Sequence, residues 1–445
     1  MINTLWLKYN KLVLLLFGYK LHHKQIGNII DNHLNVIYNV HNSMPETNNG
    51  YAMRTHTIAK AIESQNIDIS VVTRAAFPLD FNFLKEYHNN INMYEIDRIK
   101  YYRLKENAYH MGKVSDTKYL NRYVELLISF AKNKKATILH SASSYINGLA
   151  GVSAANDLGI PSIYEVRGFW EITRASREPK FKNSLGYKLQ KKLEIQACNE
   201  ATNVIALSEV VKEELINRGI KNDKIFVVPN GVDTDILKPI GKDTKIIENL
   251  KLKDKFVVGF IGSVVDYEGL KLLVEVSKKI YEKYPDMFRY LIVGDGNDLE
   301  NLQRLVKELK VENLFIFKGR VPYEDVESYY SVADIFCYPR LDWEVCRIVS
   351  PKKPFEAMAY GKPIVSSSVR ANSYFIEHEK TGLVHEKESV VSIVENILKL
   401  YEDKELYQSI SNNARDWVVK YRDSKMTGKL LKNIYEKTVE RFYTN

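Results

Sequence analysis

The chain has 445 residues, of which 45% are hydrophobic and 27% charged, close to the usage of ordinary globular proteins. This composition excludes a disordered, collagen-like or low-complexity protein, and the length predicts two or three domains. Lys and Arg exceed Asp and Glu by 64 to 55, a diffuse excess that favours nucleotide phosphates or an anionic membrane surface and predicts no nucleic-acid partner. Three cysteines without metal-ligand spacing predict a reducing cytoplasm and no metal site.

The first 33 residues form a basic segment with one apolar run, Leu12-Val-Leu-Leu-Leu-Phe-Gly-Tyr19. The run is shorter than the roughly 18 residues that a membrane-spanning helix needs. Lysines flank it on both sides, and two histidines and two lysines follow where a signal peptide would have small residues. Two interpretations stay open: an amphipathic helix at the inner face of a membrane, or a helix packed on the protein itself.

Alternating strands and helices follow this segment. A strand at 35–41 leads into a loop rich in Pro and Asn, and a helix at 53–62 and a strand at 67–73 complete a βαβ unit. Later strands are predicted at 137–140, 162–166 and 203–206, and a helix at 119–132. This series predicts a first α/β domain.

A second series begins with an apolar strand at 256–262 that ends in glycine. Further strands are predicted at 290–293, 314–318, 335–338 and 363–366, and helices at 269–284, 299–309, 323–331 and 354–359. Because two such glycine-ended first strands occur, the sequence predicts two doubly wound Rossmann-like α/β domains facing a cleft. The predicted divisions are an N-terminal segment at 1–33, domains at 34–238 and 256–424, a linker at 239–255, and a C-terminal helix at 425–445 that can cross back to the first domain.

Candidate ligand-binding residues of the first domain follow its predicted strands, since parallel sheets bind ligands at the carboxyl ends of strands. Gly50 precedes a helix that bears Arg54, which fits either an anion approached by backbone N–H groups or a simple turn. His140 ends an apolar strand before a serine-rich loop, so it is either a group that binds a sugar hydroxyl or a satisfied strand-end histidine.

Three residues after the strand at 162–166 are a further candidate cluster. Arg167, Trp170 and Glu171 fit sugar recognition by aromatic stacking and paired hydrogen bonds. The alternative is an inter-strand salt bridge together with a tryptophan of the core.

In the second domain, glycine turns and a basic stretch are the candidates. Gly262-Ser263 and Gly294-Asp-Gly296 follow strands but do not form a GxGxxG fingerprint, so no nicotinamide cofactor is predicted. A helix bearing Glu356 follows four basic residues, which are Arg340, Arg347, Lys352 and Lys353. Cations before a helix predict a diphosphate site with a carboxylate for ribose hydroxyls, and the alternative is a solvated basic loop before a capping glutamate.

Together these motifs resemble the retaining family-four glycosyltransferases of the GT-B architecture, over roughly Val36 to Tyr421. In the first domain the resemblance lies in Asn49-Gly50-Tyr51 with Arg54, Glu165-Val-Arg-Gly-Phe-Trp-Glu171 and Val228-Pro-Asn-Gly-Val-Asp233. In the second it lies in Val293-Gly-Asp-Gly296, Gly319-Arg-Val-Pro322, Glu356-Ala-Met-Ala-Tyr-Gly-Lys-Pro363, Ser366 and Thr381-Gly-Leu383.

Three positions depart from the family pattern. Many family members place Arg directly after the first glycine of the second domain and Lys five residues later, where this chain has Ser263 and Glu268. The first of two paired glutamates is replaced by Ile348, so that only Glu356 remains. The residues predicted to replace the missing positive charge are Arg320, Arg340, Arg347 and Lys353.

The resemblance implies transfer of a hexose-type sugar from a nucleotide-sugar donor to an acceptor hydroxyl, with retention at the anomeric carbon and without metal or cofactor. It implies a catalytic role for His140, Arg167 and Glu171, and a place near the sugar or acceptor for Gly50, Arg54 and Trp170. The implied donor-binding residues are Gly262, Ser263, Gly294, Gly296, Arg320, Arg340, Arg347, Lys353 and Glu356.

The implied partners are the nucleotide-sugar donor and a glycan or lipid-linked acceptor. The predicted product is a cell-surface polysaccharide or lipopolysaccharide, and the predicted location is the cytoplasm, peripheral at the inner face of the membrane. Two alternatives stay open: a catalytically weakened GT-B pseudoenzyme or binding subunit, and a sugar-nucleotide epimerase of the same architecture.

Overall fold

The computed structural model describes residues 2–25, 27, 33–81, 92–106, 108–322 and 325–444. The chain forms two compact units, one of Met1–Pro229 with Ser424–Asn445 and the other of Asn230–Asp423. Each unit contains a largely parallel sheet with helices between its strands. The predicted fold class of two doubly wound α/β domains is confirmed.

The first unit is built on an eight-stranded sheet. Its strands are β1 (Asn35–Val40), β2 (Asp68–Thr73), β3 (Met93–Ile96), β4 (Ile99–Arg103), β5 (Ile138–Ala142), β6 (Ser162–Val166), β7 (Asn203–Ala206) and β8 (Ile225–Val227). The order is β3-β4-β2-β1-β5-β6-β7-β8, and the pair β3–β4 is antiparallel. The helices before and between these strands are α1 (Ile2–Phe17), α2 (Gly50–Glu63), α3 (Asp116–Asn133), α4 (Tyr145–Leu158), α5 (Trp170–Arg177), α6 (Leu185–Glu200) and α7 (Glu209–Asn217).

Local sequence explains these elements. Five of the six residues of β1 are buried, as expected for a parallel strand covered on both faces. Helix α3 begins where the hydroxyl of Ser115 accepts a hydrogen bond from the N–H of Lys118. Its buried residues, which include Leu120, Val124 and Leu127, recur at helical spacing and pack this face inside the unit.

The second unit is built on a six-stranded parallel sheet with its first strand at the centre. The strands are β9 (Phe256–Ile261), β10 (Phe288–Val293), β11 (Phe315–Gly319), β12 (Ile335–Tyr338), β13 (Ile364–Ser367) and β14 (Leu383–His385), in the order β11-β10-β9-β12-β13-β14. The helices are α8 (Thr244–Asn249), α9 (Leu270–Lys283), α10 (Leu299–Glu308), α11 (Val326–Val332), α12 (Glu344–Ile348), α13 (Lys353–Ala359), α14 (Val390–Glu402) and α15 (Lys404–Tyr421). The carboxyl ends of β9, β10 and β12 therefore lie side by side.

The units do not divide where the sequence suggested. The boundary follows Pro229, and the predicted linker at 239–255 lies inside the second unit, where the carboxylate of Asp243 caps α8. Charged residues around this short helix gave the stretch the composition of a linker. The last helix, α16 (Ser424–Thr444), belongs to the first unit and packs on α2. The predicted helix at 323–331 corresponds to α11, and its first two residues lie outside the described residues.

Candidate functional site

A buried ion network occupies the carboxyl ends of β1 and β6 in the first unit. Glu165, which is 1% exposed, accepts hydrogen bonds from Arg54 Nε at 2.8 Å, Arg167 Nε at 3.1 Å and the Tyr38 hydroxyl at 2.6 Å. We call Arg54, Glu165, Arg167 and Tyr38 the arginine network. Burial raises the pKa of Glu165, but the two guanidinium groups lower this pKa by more than burial raises it. The pKa of Glu165 therefore lies far below the usual range, and the carboxyl group is ionised.

The remaining donors of both arginines are satisfied inside the same unit. Arg167 donates to the carbonyl oxygen of Tyr51 and to Thr55 Oγ1, both at 2.9 Å. Arg54 donates to the carbonyl oxygens of Val228 and Pro229 at 2.8 and 3.1 Å. The predicted sugar-proximal Arg54 and catalytic Arg167 are therefore both buried, and their hydrogen bonds connect α2, β6 and the end of the unit.

His140 lies within β5 rather than at its end, because the strand continues to Ala142. It is fully buried, its Nδ1 lies 2.9 Å from the Tyr435 hydroxyl, and its ring centroid lies 4.6 Å from that of Tyr38. Burial lowers its pKa to about 4, although the nearby Glu165 opposes the shift, so the imidazole is neutral at pH 7. The prediction that His140 ends its strand and faces a loop is wrong.

Two neighbouring candidates at the start of helix α5, Trp170 and Glu171, have different surroundings. Glu171 is buried and accepts a hydrogen bond from Arg218 at 2.7 Å, so this predicted catalytic carboxylate is held in an ion pair of the core. Trp170 is 39% exposed and borders a cavity of about 280 Å³ with Thr173, Arg174, Arg177 and Glu178. Glu171 thus forms a salt bridge, but with Arg218 after α7 rather than between strands, and Trp170 presents its aromatic surface to solvent rather than to the core.

The structure adds His41 to the first unit's candidates. This residue directly follows β1, and its ring packs edge-on against Trp170 with centroids 4.7 Å apart. Its backbone N–H donates to the hydroxyl of Tyr51 at 3.0 Å, next to the exposed Gly50 that begins α2. The sequence signal was available, because the predicted strand at 35–41 placed a histidine at its carboxyl end.

Glycines pack two loops of the second unit against each other. Gly262 and Gly294 follow β9 and β10 with φ of +143° and +134°, and the Gly262 N–H donates to the carbonyl oxygen of Val293 at 2.8 Å. A Cβ at Gly294 would overlap the carbonyl oxygen of Gly262, and one at Gly296 would overlap that of Val264. Gly294 and Gly296 are thus required for a close backbone approach, whereas a Cβ at Gly262 would meet the Lys353 side chain.

A mostly buried ion cluster adjoins Gly262. Lys353 Nζ is 3.5 Å from Glu268 Oε1, and Arg340 Nε is 3.7 Å from Glu268 Oε2. We call Lys353, Glu268 and Arg340 the β9 cluster, because it adjoins Gly262 at the end of that strand. Burial lowers the pKa of Lys353, and the charge of Glu268 opposes this shift.

The other predicted donor residues take different positions. Arg347 is half exposed and makes two hydrogen bonds with the Asp342 carboxylate, at 2.7 and 3.0 Å. Glu356 on α13 accepts a hydrogen bond from the Tyr330 hydroxyl at 2.9 Å and lies 3.4 Å from Lys352 Nζ. The two remaining candidates, Ser263 and Arg320, are exposed. The structure therefore brings Arg340 and Lys353 together and leaves Arg347 with a partner of its own.

Family models match nearly the whole chain. Residues 48–236 match the model described as glycosyltransferase family 4, and residues 241–417 match the one described as glycosyl transferases group 1. The chain belongs to the GT-B glycosyltransferases. This confirms the family resemblance that the motifs indicated.

Individual relatives are distant. An uncharacterized glycosyltransferase of Methanocaldococcus jannaschii is 25% identical over 59% of this chain and 65% of its own length, so the match spans less than two thirds of that relative. The Escherichia coli UDP-Gal:alpha-D-GlcNAc-diphosphoundecaprenol alpha-1,3-galactosyltransferase is 29% identical over 76% of this chain and 84% of its own length. The crystal structure of Anabaena HepE in complex with UDP-glucose has the same fold, with a TM-score of 0.70 and 17% identity over 91% of this chain and all of that one.

Proposed function

We propose that this GT-B glycosyltransferase moves a hexose from a nucleotide-sugar to a hydroxyl group of a glycan or lipid-linked acceptor, with retention at the anomeric carbon. The observation that carries the proposal is the position of Lys353, a partly exposed cation at the carboxyl end of the central strand β9. UDP-glucose binding by the similar HepE structure, and the substrates in the name of the E. coli relative, support a uridine diphosphate sugar and a lipid-linked glycan. Cell-surface polysaccharide or lipopolysaccharide synthesis is the process that fits such an acceptor.

Positive charge near the leaving group would stabilise the transition state of this transfer. Departure of a nucleoside diphosphate develops negative charge on its β-phosphate while positive charge builds on the sugar ring. The ammonium group of Lys353 would stabilise the first of these charges, and it sits in a partly buried place where electrostatic interactions are strong. The carboxylate of Glu356 would accept hydrogen bonds from the ribose hydroxyls. Transfer without metal or cofactor stays a prediction.

A thermal-shift screen against UDP, GDP, ADP, CMP and dTDP tests the proposal. A nucleotide at a hundred times its dissociation constant stabilises a protein by about 2.7 kcal/mol. For units of this size that corresponds to a rise in melting temperature of about 5–10 °C. A shift with one base identifies the donor class, and labelled-sugar transfer from that donor then tests turnover. Binding without transfer would favour the binding subunit, and no shift with any nucleotide would contradict the proposal.

Trp170→Ala is expected to weaken use of the acceptor and leave donor binding unchanged. The exposed indole and the adjoining cavity of the first unit offer a sugar ring a stacking surface, worth about 0.5–1.5 kcal/mol or about 2- to 13-fold in KM. The assay measures transfer to an N-acetylglucosamine diphospholipid, with UDP affinity measured in parallel. Tyr281→Ala, which removes an equally exposed aromatic from α9, is the matched control. An unchanged KM in the Trp170 variant would remove the indole from the acceptor site.

Helix α1 combines the two interpretations of the N-terminal segment. One face packs inside the first unit, where Leu14 is buried and Asn10 donates to Thr117 Oγ1 at 2.9 Å. The other face leaves five large apolar residues exposed, which are Trp6, Tyr9, Leu12, Leu16 and Phe17. The side chains of Lys8, Lys11 and Lys20 are also exposed. None of the helices in the described ranges is both long and apolar enough to cross a membrane. The arrangement supports peripheral contact with an anionic lipid surface, which we propose is the inner face of the membrane.

The triple variant Trp6→Glu, Leu16→Glu and Phe17→Glu is expected to abolish flotation of the full chain with vesicles that contain phosphatidylglycerol. Each substitution replaces an exposed apolar group by a charge and leaves the buried Leu14 in place. Met426→Glu changes a comparably exposed apolar position on α16 and serves as control. Unchanged flotation of the triple variant would refute membrane contact through α1.

A further inference from the structure

Glu268 stands at the position where the family pattern has a lysine, and the contacts of its side chain indicate its role. The side chains of Glu268 and Arg340 are 7% and 4% exposed, whereas that of Lys353 is 20% exposed. Among the residues that the structure describes, Glu268 Oε2 and Arg340 Nε are buried without a hydrogen-bond partner. Of the β9 cluster, Lys353 is thus the member that a ligand can reach, and the other two lie behind it.

The path of Lys353 is fixed by the backbone around it. A Cβ at Gly262 would overlap Cε of Lys353, and the φ of +143° at Gly262 disfavours any other residue there. The Lys353 ammonium lies 4.6 Å from the ring centre of Phe260, and the Tyr338 hydroxyl donates to the Lys353 carbonyl oxygen at 3.2 Å. The ammonium end of the lysine is therefore held at the carboxyl end of β9, and its backbone end is bonded to the last residue of β12.

Two cations in one partly desolvated place repel each other, and the repulsion is stronger there than in water. Glu268 lies within 4 Å of both Lys353 and Arg340, so its carboxylate offsets that repulsion. With an uncharged residue at this position, the flexible Lys353 side chain would turn toward solvent or lose its proton. The buried Arg340 has a carbonyl partner, Val349, and would stay in place.

We propose that Glu268 is a positioning residue for the donor, which holds the Lys353 ammonium over Gly262 so that it meets the diphosphate group. The inference rests on the proposed function, since it requires a nucleoside diphosphate at this end of β9. It also accounts for the departure from the family pattern. The ammonium group comes from α13 instead of the loop after β9, and the residue of that loop orients it.

The variant Glu268→Gln distinguishes a carboxylate that positions Lys353 from one that only adds negative charge near the diphosphate site. A carboxylate beside an anion site repels the anion, so loss of a charge without a positioning role would tighten UDP binding. If Glu268 positions Lys353, the variant binds UDP about tenfold more weakly by calorimetry. Combining it with Lys353→Met then weakens binding no further than Lys353→Met alone, because the two residues act through one contact. Glu275→Gln, an exposed change on α9, should bind as wild type does.

The pH dependence of UDP binding is a second readout that a purely structural role would not move. The titratable and charged groups that face Lys353 are Glu268, Arg340, Glu356 and Cys346. Because the charge of Glu268 raises the pKa of Lys353, Glu268→Gln should move the alkaline loss of UDP affinity to lower pH. In the Lys353→Met variant, UDP affinity should no longer fall at alkaline pH.

Each outcome separates this inference from the proposed function. The inference alone is overturned if the wild-type protein binds UDP and the Glu268→Gln variant binds it equally or more tightly and loses UDP affinity at the same alkaline pH as wild type. Wild-type protein that binds no nucleoside diphosphate overturns both. If Glu268→Gln does not fold, Glu268→Asp keeps the charge one methylene further away, and its affinity is expected to lie between those of wild type and Lys353→Met.

Discussion

Lys353→Met is expected to weaken UDP binding about 10- to 100-fold, whereas Arg347→Ala leaves it within about twofold. A hydrogen bond to a charged group contributes about 1.5–3 kcal/mol, which sets the loss for Lys353. Arg347 is half exposed and already bound to Asp342, and exposed ion pairs are worth about 0–1 kcal/mol. Both cations are predicted from the sequence as donor-binding residues, and the structure distinguishes them by their burial and by their ion-pair partners.

Calorimetric titration with UDP at physiological ionic strength measures both variants, and thermal melting checks that each is folded. Methionine keeps most of the apolar volume of the lysine stem against Phe260, so the change removes the charge and little packing. Equal losses in the two variants would mean that the diphosphate site is the loop of Arg347 and not the end of β9. No loss in the Lys353 variant would also remove the basis of the proposed role of Glu268.

Buried strands with apolar runs could be predicted from the sequence, and elements without such a pattern could not. The strands at 162–166 and 335–338 were predicted with the bounds of β6 and β12. The bounds of helix α4 were not predicted, because eleven of its fourteen residues are buried and its sequence shows no polar face to mark the helical period. Strand β3 was missed because it is a four-residue edge strand whose residues are all at least partly exposed.

Charged residues at strand ends explain why the sequence could not separate the buried site candidates from the accessible ones. Arg54 and Glu165 are 111 positions apart, and neither sequence position reveals that they bond to each other in the interior. A buried ion pair and a ligand-binding arginine use the same residue types at the same end of a sheet. Burial is the property that separates them. It assigns Arg54, Arg167 and Glu171 to the interior and leaves Trp170 and Lys353 accessible.

Glu165→Ala is expected to destabilise the first unit by about 3–5 kcal/mol, because it leaves two buried arginines without their counter-ion. Glu178→Ala removes an exposed i,i+4 partner of Arg174 in the same unit and should cost less than about 0.5 kcal/mol. Urea titration followed by hydrogen exchange reports each unit separately through its own peptides. Loss of protection confined to Asn230–Asp423 would contradict the assignment of the network to the first unit.

The difference in unfolding free energy between wild type and Glu165→Ala depends on pH, because the pKa of Glu165 is lowered in the folded protein. Burial alone would raise this pKa, but Arg167 and Arg54 lower it, so the folded protein binds the proton less tightly than the unfolded chain. The stabilisation is therefore fully present above the unfolded carboxyl pKa of about 4.3 and is lost as the pH falls below it. The gap in unfolding free energy between wild type and Glu165→Ala should stay constant from neutral pH down to about pH 5 and then narrow. A gap that instead widened in acid would mean that Glu165 is protonated in the folded protein, and the arginine network would then be held by neutral hydrogen bonds rather than by charge.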